Sequence, residues 1–125
     1  MTKDEIKILI CDDSILARKL LKDALLEIGC ENFFEAKNGI ESVEKYMIEQ
    51  PDLIFLDIVM PGVNGVEVTK KIMAQNSDAY IVMVSSVGTK SFLQEALEAG
   101  ARDFLQKPFS NEAIANIVEK ICAKS

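Results

Sequence analysis

The chain has 125 residues, 49% of them apolar, and its 20 acidic against 14 basic residues give a net charge of −6. That length suits one domain around one core, residues 1–125, and the acidic balance argues against nonspecific binding to nucleic acid or an anionic membrane. Histidine is absent and the three cysteines, Cys11, Cys30 and Cys122, are widely spaced, which argues against zinc sites and against Ser–His or Cys–His catalysis.

Residues 6–11 read as a buried strand, with Cys11 as a small strand residue rather than a reactive thiol. Residues 14–28 follow as a helix, with Ala17, Leu20, Leu21, Ala24 and Ile28 at helical spacing and Gly29 where a C-terminal cap belongs. Residues 33–36 are a short second strand. Residues 39–49 read as a helix capped by Asn38, with Ile40, Val43 and Met47 on its inner face, ended by Gln50-Pro51. Residues 53–57 form the third strand, and residues 65–76 a helix using Val68, Ile72 and Met73. Residues 80–84 form the fourth strand, and residues 89–99 a helix stopped by Gly100. Residues 103–106 are the fifth strand, and Ser110 caps a last helix that buries Ile114, Ile117, Val118 and Ile121. No apolar run approaches the roughly 18 residues of a membrane span, and the polar start is unlike a signal peptide. A cytoplasmic protein with reduced thiols, away from membranes and nucleic acid, is the expectation.

Five strands alternating with five helices imply an α/β fold: a doubly wound, five-stranded parallel sheet covered on both faces. With right-handed crossovers the expected strand order is 2-1-3-4-5, a flavodoxin-like arrangement that binds ligands beyond the carboxyl ends of strands 1 and 3. At those ends stand Asp12-Asp13, Asp57, Ser85-Ser86 and Lys107-Pro108. Taken singly, Asp13 is a helix cap, Asp57 a loop acceptor, Ser85-Ser86 a cap and Lys107-Pro108 a turn. Taken together, they bring three carboxylates, an ammonium and a hydroxyl to one pocket. Crowded carboxylates raise one another's pKa unless a cation relieves them. Mg2+, which prefers oxygen ligands, fits that need. The pocket suits a phosphoryl group, with a carboxylate as nucleophile and charge neutralisation around it.

The runs Ile10-Cys11-Asp12-Asp13-Ser14, Leu56-Asp57-Ile58-Val59-Met60-Pro61-Gly62-Val63-Asn64-Gly65, Val82-Met83-Val84-Ser85-Ser86, Gly100-Ala101-Arg102-Asp103-Phe104 and Lys107-Pro108-Phe109 resemble the receiver domain of two-component response regulators, the CheY-like family. The resemblance spans essentially the whole chain. It implies that Asp57 is the phosphoacceptor, that Asp13, Asp57 and the Val59 carbonyl bind magnesium directly, and that Asp12 helps through a water. It further implies that Lys107 pairs with the phosphoryl group, that Ser85 moves to hydrogen-bond it, and that the Lys107-Pro108 bond is cis. The donor would be the phosphohistidine of a sensor histidine kinase. The output would be a downstream protein bound on the fourth helix, fifth strand and last helix, around Lys90, Arg102 and Phe104. Phe104 stands where tyrosine is common, so ring burial rather than a hydroxyl would report phosphorylation.

Val59 and Val87, at the positions that tune hydrolysis in this family, are both apolar, which implies a slowly lost phosphoryl group. The chain would catalyse only its own phosphorylation and dephosphorylation. A stand-alone chemotaxis-type regulator is the expectation, with a phosphorelay intermediate or a fragment of a longer regulator as the alternative. Three rivals fit less well. An aspartate-nucleophile phosphatase needs a second acid where Val59 stands. A flavodoxin-like cofactor binder needs a phosphate loop poor in acids. A pure interaction module leaves the acids and Lys107 unused.

Overall fold

The computed structural model describes residues 1–86 and 90–123. In chain order it contains β1 (Lys7–Cys11), α1 (Ile15–Glu27), β2 (Asn32–Ala36), α2 (Gly39–Glu49), β3 (Leu53–Asp57), α3 (Gly65–Gln75), β4 (Ile81–Ser85), α4 (Lys90–Ala99), β5 (Asp103–Gln106) and α5 (Asn111–Ala123). All strand pairs are parallel, as the alternating pattern implies, and the order is the expected β2-β1-β3-β4-β5.

Alternate residues of each strand feed two cores, because successive side chains leave a strand on opposite faces. On one face Ile8, Ile10, Phe55, Val82, Val84 and Leu105 pack against Leu21 and Leu25 of α1 and Ile114 and Val118 of α5. On the other, Leu9, Cys11, Ile54, Leu56, Ile81 and Met83 meet Tyr46 of α2, Val68 and Ile72 of α3 and Ala96 of α4. β3 and β4 are buried along their whole length. Burial pushes the Cys11 thiol up to about 12, which keeps it protonated at neutral pH.

Helix starts follow local hydrogen bonding. The Ser14 hydroxyl accepts from the Ala17 amide at 3.1 Å and caps α1. Asp13 is therefore not the cap, and its carboxylate remains available. Asn38 and Asn64 cap α2 and α3 in the same way. Gly29 follows α1 with φ 101°, a left-handed conformation that a side chain resists.

Two expected helix faces are met only in part: Leu21, Ala24 and Ile28 of the first and Val43 of the second pack against the cores, and the rest differ. On α1, Leu20 is exposed, and Leu21, Ala24 and Leu25 make the contact with the sheet. On α2, Ile40 is 63% exposed and Met47 is also exposed, while Gly39, Ser42 and Tyr46 face inward. The polar atoms buried there are satisfied locally. Ser42 donates to the Asn38 carbonyl at 2.7 Å, and the Tyr46 hydroxyl accepts from Asn76 at 2.8 Å. The expected buried helix face of α5 is found as read from the sequence. Thr89, the predicted start of the fourth helix, lies outside the described residues, and Lys90 is the first described residue of α4. Among the described residues no helix is long and apolar enough to cross a membrane.

Candidate functional site

The parallel register carries the site residues to one edge of the sheet. Cys11 pairs with Leu56, so Asp12 and Asp57 emerge side by side from β1 and β3. Asp57 pairs with Val84, and Ser85 follows at the end of β4. Ser85 pairs with Gln106, and the next residue, Lys107, donates its amide to the Ser85 carbonyl at 2.7 Å.

One carboxylate oxygen each from Asp12, Asp13 and Asp57 lies within 4.8 Å of the others. Lys107 Nζ is 2.9 Å from Asp12 Oδ2 and 3.5 Å from Asp57 Oδ2. The Asp12 Oδ1 atom accepts the Ser14 amide at 2.9 Å. Asp57 is only 9% exposed. Burial first, and then the charge of Asp12, push its carboxyl up to about 6 against the opposing pull of Lys107. Burial also works against the Lys107 ammonium, but the hydrogen bond to Asp12 and the charges of Asp57 and Asp12 outweigh it and leave that ammonium raised.

The donor set fits a hard divalent cation. Three acidic oxygens converge, and the single ammonium of Lys107 cannot balance three carboxylates. The backbone of the β3–α3 loop is held close to this cluster. The Gly65 amide donates to the Ile58 carbonyl at 2.8 Å. A Cβ at Gly65 would meet the Asp57 carbonyl oxygen at 2.6 Å, so the start of α3 packs directly on β3. The Val59 amide reaches Asp57 Oδ1 at 3.4 Å, while the Val59 side chain is 55% exposed at the mouth of the site.

The remaining predicted positions are dispersed. Ser85 is buried at the end of β4, beside the cluster. Phe104 is 49% exposed on β5, beside Met83. Lys90 is exposed at the start of α4. Arg102 precedes β5, at the opposite edge of the sheet, with its guanidinium 5.6 Å from the centre of the Tyr80 ring. The Lys107-Pro108 bond is cis. Val87 lies outside the described residues. A groove of about 460 Å³ runs beside the site between α1 and the β5–α5 connection, lined by Ala17, Leu20, Lys107, Pro108, Phe109 and Asn111. Sequence reasoning missed Arg18, whose guanidinium touches the Asp12 carbonyl, and Glu35, which anchors it. The signal for both was faint: an arginine one turn into a helix otherwise served by lysines, and an acid inside a strand.

This chain matches the family model described as the response regulator receiver domain over residues 8–119. The chain belongs to the response regulator receiver domains. Receiver domains serve two-component signalling and work with histidine kinases and downstream targets. This receiver is 40% identical to the chemotaxis protein CheY of Bacillus subtilis (strain 168) over 114 residues, covering 91% of this chain and 95% of that protein. It is 32% identical to sporulation initiation phosphotransferase F of the same organism, covering 91% of each. Among solved structures, the receiver domain of NtrX from Brucella abortus superposes with a TM-score of 0.87 at 28% identity, over 95% of this chain and all (100%) of that one.

Proposed function

We propose that residues 1–125 form a single receiver domain that takes a phosphoryl group onto Asp57 from the phosphohistidine of a sensor histidine kinase, with Mg2+ held at the acid cluster. The observation that carries this reading is the convergence of Asp12, Asp13 and Asp57 within 4.8 Å, with Lys107 at 2.9 Å from Asp12 and 3.5 Å from Asp57.

An Asp57 oxygen attacks phosphorus in line. The P–N bond to the donor imidazole breaks, its electron pair returns to nitrogen, and that nitrogen is protonated by solvent. Attack requires the anion. With its carboxyl raised to about 6, Asp57 is mostly ionised at neutral pH. Lys107 offers a fixed positive charge to the phosphoryl oxygens, and Ser85 offers a hydroxyl. Asp12, Asp13, Asp57 and the Val59 carbonyl would hold magnesium, whose charge further neutralises the phosphoryl oxygens. The apolar groove beside Lys107, lined by the exposed Leu20, supports a donor that is a protein rather than a small phosphate.

Phosphorylation adds close to two negative charges at Asp57. Ser85 responds at the end of β4 and biases a two-state change along β4 and β5. The output face is α4, β5 and α5, with Lys90, Phe104 and Arg102, and it binds a downstream protein. Likeness to CheY supports a role in chemotaxis. A relay role, passing the phosphoryl group to another histidine protein, is the second reading, favoured by the likeness to sporulation initiation phosphotransferase F.

The test is incubation with magnesium and acetyl phosphate, followed by intact-mass measurement of wild type and Asp57→Asn. One added phosphoryl group is expected on the wild type and none on the variant. Equal labelling of both, or of neither, overturns the reading.

A further inference from the structure

Arg18 sits one turn into α1 with its side chain only 13% exposed. Its guanidinium spans two partners. Nε donates to Glu35 Oε1 at 3.0 Å, and Nη1 donates to the Asp12 carbonyl oxygen at 2.6 Å. Lys22, a turn further along α1, holds Glu35 Oε2 at 3.2 Å. Glu35 is therefore fixed on β2 from two sides, and it fixes the arginine.

The contact with the Asp12 carbonyl matters for the neighbouring residue. That carbonyl belongs to the rigid peptide plane joining Asp12 to Asp13, and turning the plane swings the Asp13 side chain. Every other polar atom of Asp12 is also held. Its amide donates to the Ala36 carbonyl at 3.0 Å, Oδ1 accepts the Ser14 amide at 2.9 Å, and Oδ2 accepts Lys107 at 2.9 Å. Asp13, by contrast, is exposed. Among the described residues no side chain pairs with its carboxylate, so its direction follows from its backbone.

We propose that Arg18 is a positioning residue for the acid cluster: anchored on Glu35, it locks the Asp12–Asp13 peptide so that Asp13 presents its carboxylate beside Asp57 to a divalent cation. This inference rests on the magnesium-dependent reading of the site given above. The alternative is that Arg18 and Glu35 only tie α1 to β2. The planar fork separates the two. A guanidinium spans carbonyl and carboxylate with fixed geometry, whereas a lysine ammonium carries the same charge on one point and cannot replace both prongs.

The test is a magnesium titration of the metal-free full chain followed by backbone amide shifts, with the melting temperature of each metal-free variant measured alongside. Arg18→Lys preserves net charge, so a change in its magnesium Kd reports geometry. Arg18→Lys and Glu35→Gln are each expected to weaken that Kd roughly ten- to a hundredfold, as loss of groups that orient metal ligands does. Lys120→Ala, which breaks an exposed pair with Asp103, should bind magnesium like wild type. Clamp variants that melt earlier yet keep the wild-type Kd overturn the inference. Should Arg18→Lys fail to fold, Glu35→Gln decides alone. Asp13→Asn separates the two levels. If it abolishes binding while both clamp variants bind normally, only the role of Arg18 falls. A wild type that shows no magnesium binding overturns the proposed function and this inference together.

Discussion

Asp57 holds a carboxylate in a place that disfavours charge, and its raised carboxyl links stability to pH. Below about pH 3 the group is mostly protonated in both folded and unfolded chains. As pH rises toward about 6, the unfolded chain ionises first while the folded chain keeps its proton, so unfolding releases a proton and folding stability falls across that window. Asp57→Asn removes this penalty. In the absence of metal it should be more stable to urea than wild type above about pH 6, by of the order of 1–3 kcal/mol, and match wild type near pH 3. Magnesium should narrow the difference by neutralising the wild-type charge. A gap that ignores pH would mean that burial of Asp57 is not its source. Val59 marks a second property of the site. Its exposed alkyl side chain at the mouth cannot orient an attacking water. The double substitution Val59→Asn, Val87→Glu should therefore speed loss of the phosphoryl group, read as decay of phosphoprotein after the donor is removed. Decay that is equal or slower would remove valine shielding as the cause of a long lifetime.

The elements differ in how much of their role was legible in the residues. The buried face of α5 was legible because Ile114, Ile117, Val118 and Ile121 are apolar and recur at helical spacing. On α2 the same rule picked Ile40, Val43 and Met47; Val43 packs against the core, but Ile40 and Met47 are exposed, because Gly39, Ser42 and Tyr46 make the rest of the inner face. The Ser42 and Tyr46 hydroxyls are hydrogen-bonded to Asn38 and Asn76, a fact that spacing does not encode. β5 presents a different case. Phe104 was expected at a switch position, and on β5 it is half exposed, paired with Met83 two residues before Ser85. Nearby along the chain, α4 exposes Phe92 and Leu97. Phe104→Ala should weaken a phosphorylation-dependent partner severalfold in a pull-down or titration, while acetyl phosphate still labels Asp57. Lost labelling would place the ring in the phosphorylation chemistry instead of the output face.

At the scale of the whole molecule, strand alternation together with the family resemblance brought residues 12, 13, 57, 85 and 107 to one edge, because in a parallel sheet every strand ends on the same side. What stayed hidden was the side-chain reach between elements. Arg18 crosses from α1 to β2 and to the end of β1, and Arg102 lies against Tyr80 at the far edge. Neither follows from spacing, since both depend on how far a long side chain extends once its helix or loop has docked. The ion pair of Asp12 with Lys107 joins positions 95 residues apart, linking the first strand to the turn after the last. A chain still emerging from the ribosome, or one whose final strand has peeled away, keeps its acids but has lost their counter-charge. The proposed phosphate site is thus complete only once the turn that follows the final strand has docked beside the first.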